Sequence, residues 1–306
     1  MIVIGSRAIK FYNNDFREPK DWDIIGSNEE IQAFLKRHKN NLIYAFPSSP
    51  SKIQVLVDDG TKIEFELATT KSNQLLLEIL HDSSDTISFY DENLKVCPLK
   101  YSLLLKRALL YWPVHWDKTI DDYNFLRTCT NIINSEKEQL FYEYRLKENE
   151  DKFGKKKITL NIPEKDFFGK SKKIRIMEHD LLHEKVKFYD EPMFKQLKIY
   201  PNKPLLSKEK FNLLSFSDKI KTAQEECLAI GFERFFIPNM NKNIVMSTRD
   251  AYKSGIRLVV SKLTKGWFCD FVIENYLDIL ALSEEHLLSC ETNIREYFRS
   301  MNSGNI

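Results

Sequence analysis

The sequence predicts an α+β protein: a mixed sheet with helices at the N-terminus, followed by a mostly α-helical body. Three observations carry that assignment. Strand and helix signals alternate from Ile2 to about Leu80, and Asp58-Asp59-Gly60-Thr61 joins two alternating apolar runs as a hairpin turn would. From about Pro98 onward the apolar residues fall instead at helical spacing.

The elements follow in order. Ile2-Val3-Ile4 is a short apolar strand ending at Gly5-Ser6, with a helix-compatible stretch behind it to about Tyr12. Asn13-Asn14-Asp15 and Pro19 mark a loop. Asp21 to Ile25 reads as a strand closed by Gly26, after which Ser27 or Asn28 caps a helix whose first turn carries Glu29 and Glu30. Leu42 to Phe46 reads as a strand that Pro47 breaks. Ile53 to Val57 and Lys62 to Leu67 are the two arms of the hairpin, and Ser72 is the candidate cap of a helix to about Leu80. Leu99, Leu103, Leu104 and Leu110 open the helical region, which breaks near Pro113 and continues through Ile120, Tyr123 and Leu126. The pattern divides the chain into a head, residues 1–127, and a mainly helical domain, residues 128–306.

Composition narrows the class. With 306 residues, 42% hydrophobic and 29% charged, the chain is an ordinary globular sequence, neither disordered nor collagen-like. The net charge is only +2, yet residues 145–210 hold 18 Lys and Arg against 11 Asp and Glu. Nine glycines argue against a glycine-rich dinucleotide fold as the main theme. No apolar run approaches the ~20 residues of a membrane span. The N-terminus lacks a signal-peptide pattern, and five scattered cysteines without a C-x-x-C pair read as reduced thiols. Together these set the expectation of a cytoplasmic protein.

The most informative residues lie in the first seventy. Gly5-Ser6 sits at a strand-to-helix turn, where free N–H groups and the helix dipole favour a phosphate. Asp21 and Asp23, two apart on a strand, point to one face, and Glu64 and Glu66 repeat that geometry on a later strand. Gathered carboxylates repel one another unless cations neutralise them, and hard oxygen ligands suit Mg²⁺ or Mn²⁺. Two such ions would build a centre for phosphoryl transfer.

Gly5-Ser6, then Asp21-Trp22-Asp23, then an acidic residue on a later strand resembles the DNA polymerase β-type nucleotidyltransferase superfamily. The resemblance covers roughly residues 1–127. It implies a nucleotidyltransferase-like head that transfers a nucleotidyl group from an NTP, such as ATP, to a hydroxyl acceptor. It implies Asp21 and Asp23 as catalytic metal ligands, with Glu66 or Glu64 as the third carboxylate. Gly5, Ser6 and Arg7 would meet the nucleotide. Leu103-Leu104-Leu105-Lys106, then Lys118 and Asp121-Asp122, is similar to a helix pair near the nucleotide in small members, which adds Lys106 and Lys118. The sequence departs from the family in the 14 residues between Ser6 and Asp21, in Arg7, and in the doubled glutamate.

Two further patterns stand outside that resemblance. His179 and His183, at i and i+4, share a face if helical and would suit a transition metal. With His115 and Asp180 they are similar in order to HD-domain phosphohydrolases, which gives a metal-dependent hydrolase as the alternative. Structural histidines, or acceptor contacts from His179 and His183, are the plainer readings. The Lys-rich stretch 152–175 is either a solvated loop or a phosphate-backbone track for a nucleic-acid acceptor. A third reading is a non-catalytic nucleotide or nucleic-acid binder. Trp112, Trp116 and Tyr123 read as packing residues.

Overall fold

The structure is a computed structural model and describes residues 1–112, 115–131, 135–154, 199–200, 203–204, 208–241, 244–260 and 267–303. The chain forms two compact units. One comprises residues 1–109 and 114–157, the other 110–113 and 158–306.

The first unit is built on a seven-stranded mixed sheet in the order β3-β4-β5-β2-β1-β7-β6. Its strands are β1 (Ile2–Ile4), β2 (Trp22–Gly26), β3 (Leu42–Ser49), β4 (Lys52–Val57), β5 (Lys62–Leu67), β6 (Thr86–Phe89) and β7 (Glu92–Val96). β2 runs antiparallel to β1 and parallel to β5, while β1 runs parallel to β7. Among the described residues six α-helices accompany it: α1 (Gly5–Tyr12), α2 (Asn28–Arg37), α3 (Lys71–Ile79), α4 (Leu99–Leu109), α5 (Trp116–Cys129) and α6 (Glu136–Asn149). The α+β class expected from the sequence is the observed one.

Alternation along the central strands explains why the sheet is covered on both faces. Val3, Ile24, Ile63 and Phe65 point one way, and Phe34 of α2 meets Phe65 with ring centroids 5.3 Å apart. Ile2 and Ile25 point the other way with Asp23, and α3, α4 and α6 pack among themselves in the same core, which includes Leu76, Leu104 and Phe141. The first unit thus runs past residue 127 to take in α6. Trp112, Trp116 and Tyr123 are buried, and all five cysteines are free thiols.

Several elements differ from the sequence reading. Strand β3 continues through Pro47 to Ser49 instead of ending before the proline. It is an edge strand, where a proline is tolerated, and the ladder shifts register between Pro47 and Ser49. Helix α3 is capped by Thr70, whose hydroxyl accepts from Asn73 N, while Ser72 lies inside the first turn. Ser27 alone caps α2, in a reciprocal capping box with Glu30. The hairpin β6–β7 has no counterpart in the sequence reading. Its tight connection places Tyr90 at φ 54°, a left-handed position taken without the usual Gly or Asn.

Apart from a short antiparallel pair, Ile199–Tyr200 with Lys203–Pro204, the second unit is helical among its described residues. Phe216–Gly231 and Thr248–Leu258 pack so closely that a Cβ at Gly255 would overlap Cys227 O and lie 2.8 Å from Gly231 N. Trp267–Glu274, Tyr276–Leu280 and the long helix Glu284–Ser303 follow, with Tyr252 Oη donating to Ile279 O at 2.6 Å, and the shorter helices Lys208–Asn212, Phe232–Phe236 and Ile237–Asn241 lie earlier in the unit. No helix among the described residues is long and apolar enough to cross a membrane.

Candidate functional site

The head's carboxylates are assembled by strand register. In the parallel β2–β5 ladder Asp23 lies opposite Glu64 and Ile25 opposite Glu66, while across β1–β2 Ile4 lies opposite Asp23. Immediately after Ile4 the chain turns at Gly5, φ +68°, and enters α1. Gly5 is needed there twice over. Its backbone is left-handed, and a Cβ would overlap Asp23 Oδ2 and stand 3.2 Å from Cγ. The Asp23 carboxylate therefore rests directly on the turn at the start of α1.

Asp21, Asp23 and Glu64 act on one another electrostatically. The Asp23 carboxyl is pushed up to about 6, first by burial, then by the neighbouring charges of Asp21 and Glu64; Lys106 and Lys52 pull it the other way. The two glutamates of β5 have different surroundings. Glu64 is half-buried and pairs with Lys52 of β4. Glu66 is buried and takes Arg145 Nη1 at 2.9 Å and Asn73 Nδ2 at 2.8 Å, with Lys52 Nζ at 3.7 Å. Burial alone would raise its carboxyl, but Arg145, Lys52 and Asn73 hold it down at about 2. Glu66 is thus a tied carboxylate that locks α6 and α3 to the sheet, and Glu64 is the one beside Asp23.

A second network holds the start of α1. Asp122 of α5 is buried and receives Arg17 Nε at 3.1 Å, Arg17 Nη2 at 3.0 Å and Lys106 Nζ at 2.8 Å. Those cations keep its carboxyl below the ordinary range although burial opposes them. Arg17 Nη2 also donates to Ser6 Oγ at 2.8 Å. Ser6, Arg17, Asp122 and Lys106 are therefore one connected unit, and Lys106 reaches electrostatically to Asp23 as well. An open cleft of about 450 Å³ beside it is lined by Phe16, Arg17, Lys118, Asp121, Asp122 and Phe125 with Asp15. Arg7 is committed locally: its guanidinium sits 4.1 Å over the Trp22 ring, Nε donates to Asp21 O at 3.0 Å, and burial lowers its pKa.

The structure thus brings together Gly5, Ser6, Asp21, Asp23, Glu64 and Lys106, with Lys118 on the adjoining cleft. His115 is an exposed residue at φ 49° that precedes α5. His179, Asp180 and His183 lie outside the described residues, as does the basic stretch from residue 155 onward. Its first lysine, Lys152, is described: burial lowers its pKa, and it feels the charges of Lys52, Glu66, Arg145 and Glu64. Among the described residues no group of three or more His, Cys, Asp or Glu is gathered tightly enough to hold a metal ion.

Residues 101–296 match the family model described as a domain of unknown function (DUF7275). The chain belongs to the DUF7275 family. Residues 1–81 match a second model, also described as a domain of unknown function (DUF7277). Among curated proteins nothing matches. The DUF7277 match carries Gly5, Ser6, Asp21, Asp23, Glu64 and Glu66, and the DUF7275 match carries Lys106, Lys118, Asp122 and Arg145. Both networks therefore draw residues from the two matched segments.

Sequence reasoning missed Lys52, Arg17 and Arg145. For Lys52 a signal existed, since counting back from the Asp-Gly turn places it opposite Glu66. Arg17 and Arg145 sit in a loop and on a polar helix, and their partners are distant in sequence, so no local pattern marks them.

Proposed function

We propose that the head is a nucleotidyltransferase of the DNA polymerase β type, in which a hydroxyl acceptor attacks the α-phosphorus of an NTP, the α–β phosphoanhydride bond breaks and pyrophosphate leaves, with the help of divalent cations. The observation that carries this reading is the row Gly5–Asp23–Glu64, with Asp21, just ahead of β2, close enough to raise the Asp23 carboxyl. It supplies a glycine turn at a helix start beside three hard carboxylates, where the charges of Asp21 and Glu64 add to burial in raising the Asp23 carboxyl.

Carboxylate oxygens suit Mg²⁺ or Mn²⁺, and Asp21, Asp23 and Glu64 would be the ligands; as they stand the three are not gathered into a closed set, and Lys52 supplies the neutralising charge to Glu64. When bound, such ions supply charge neutralisation for the phosphoryl groups. Of the two glutamates, Glu64 is the third carboxylate in this reading, because Glu66 is consumed by Arg145.

The chain's own residues have distinct parts. The start of α1, with Ser6 Oγ held by Arg17, orients the β- and γ-phosphates. Lys106, fixed by Asp122, places a positive charge near the transferring phosphoryl group, and Lys118 lies further out on the cleft. Glu64, partly exposed between Asp23 and Gln54 in the row, takes the proton of the attacking hydroxyl at its carboxylate. The neutralising lysines and the fixed turn are the preorganised part of the barrier reduction.

Incubating the purified chain with each α-labelled NTP, Mg²⁺ and total cell extract tests the proposal. Label should pass to one fraction of the extract, and Asp21→Ala/Asp23→Ala should abolish it. Transfer at near wild-type rate by that double variant would overturn the assignment.

A further inference from the structure

The sheet face that carries the carboxylates continues beyond β5 to an open edge. Opposite Glu64 on β4 is Gln54, and opposite Gln54 on β3 is Phe46. Asp23, Glu64, Gln54 and Phe46 therefore form one row across four strands, all on the same face. One step away along the hairpin, Tyr44 lies opposite Leu56, which lies opposite Lys62. Tyr44 and Phe46 are two residues apart on β3, so they share that face, and their ring centroids are 5.4 Å apart.

This aromatic pair serves no core. Tyr44 is 41% exposed and Phe46 45% exposed, and six of the eight residues of β3 are exposed. An edge strand is ordinarily blunted by charges, yet Leu42 to Ser49 contains none, and Pro47 is its only interruption. At a strand spacing of about 4.8 Å, Phe46 stands roughly 10 Å from the strand of Glu64 and roughly 14 Å from that of Asp23. Lys62 and Lys52 flank the row on β5 and β4. Adjacent exposed rings with lysines beside them match the way single-stranded nucleic acid is gripped, by base stacking and backbone attraction, without reading sequence.

We infer that Tyr44 and Phe46 form a stacking shelf for the last bases of a single-stranded polynucleotide, whose terminal hydroxyl then reaches Glu64 and Asp23 across β4 and β5. The inference rests on the nucleotidyl-transfer reading and names the acceptor class for it. Lys62 faces the phosphates of the strand, and Gln54 spans the interval between shelf and carboxylates.

The test uses the full chain and end-labelled single-stranded RNA and DNA oligonucleotides, with affinity read by fluorescence anisotropy at fixed salt. Tyr44→Ala/Phe46→Ala should weaken binding of at least one of the two by about tenfold or more, as the loss of a base–aromatic stack does. Tyr44→Phe and Phe46→Tyr should keep it. Both rings are largely exposed, and unchanged circular dichroism and melting temperature would show that the double variant folds. Phe216→Ala, which removes an exposed ring from the other unit, should bind the oligonucleotides as wild type does, which separates the shelf from exposed aromatic surface in general. Wild-type affinity in the aromatic double variant, or no binding of either oligonucleotide by the wild-type chain, would overturn the shelf. So would a dimer in sedimentation that the aromatic double variant abolishes, because β3 would then be covered by a second copy. If instead the shelf variants lose binding while Asp21→Ala/Asp23→Ala still transfers label, the transfer assignment fails and the binding surface stands.

Discussion

The carboxylate of Asp23 rests on the backbone of Gly5, so closely that a methyl group at residue 5 would overlap Oδ2. The left-handed φ of +68° compounds the restriction, since a side chain costs roughly 1–2 kcal/mol in that region. Gly5→Ala is expected to destabilise the head by about 2 kcal/mol or more and to displace Asp23. Thermal unfolding should show a lowered melting temperature, and nucleotide transfer should fall further than stability alone explains. Wild-type melting and turnover in Gly5→Ala would show that the turn is tolerant and the contact unimportant.

The raised pKa of Asp23 gives stability a pH signature of definite sign. Its folded value, about 6, exceeds the ordinary 3.8, so between those limits the folded protein holds a proton that the unfolded chain has released. The associated stability is complete below that window and is lost as pH rises through about 6. Asp23→Asn removes this loss. In buffer without divalent cations the variant should therefore gain on wild type between about pH 4 and 7, by on the order of 2 kcal/mol. Added Mg²⁺ should stabilise wild type at pH 7 and leave Asp23→Asn unmoved. Parallel pH–stability curves for the two proteins would contradict the shift.

Much of this arrangement is legible in the sequence, and the reasons it stops are physical. The Asp-x-Asp spacing marks Asp21 and Asp23, although β2 begins only at Trp22, and the Asp-Gly turn sets the pairing of β4 with β5; both can be read locally. The choice between Glu64 and Glu66 could not be read. It depends on Arg145, 79 residues beyond Glu66, and on the parallel register that puts Glu64 and not Glu66 beside Asp23. The hairpin β6–β7 was invisible because Tyr90 occupies a left-handed turn position that sequence rules assign to Gly or Asn. Pro47 misled in the opposite direction, because an edge strand tolerates what a central strand does not.

Glu64 and Glu66 should separate cleanly on substitution. Glu66→Gln leaves Arg145 buried with Glu148 at 3.8 Å as its remaining carboxylate, and stripping one member of a buried pair costs about 3 kcal/mol or more. The depressed Glu66 value, about 2 against 4.5, means that its contribution is present above pH 4.5 and fades as pH falls toward 2. Glu66→Gln should accordingly lose stability at pH 7 and converge with wild type in acid. Glu64→Gln, half-exposed, should melt like wild type and yet lose nucleotide transfer. If Glu66→Gln is the stable, inactive one, the assignment of the third carboxylate is reversed.

Asp122 is the joint between the turn at the start of α1 and Lys106. Its carboxylate holds Arg17 at 3.0 Å and Lys106 at 2.8 Å, and Arg17 in turn steadies Ser6 Oγ. Asp122→Asn keeps the volume but removes the charge that fixes both cations, so Ser6 and Lys106 lose their shared anchor. Because neither Asp21 nor Asp23 is touched, the chemistry remains available once the nucleotide is seated. The expected outcome is a KM for NTP raised about tenfold or more, a smaller fall in kcat, and partial recovery in Asp122→Glu. Steady-state kinetics with the labelled NTP reads both constants. An unchanged KM with a collapsed kcat would mean that Asp122 acts on the reacting groups themselves and not on the seating of the phosphates.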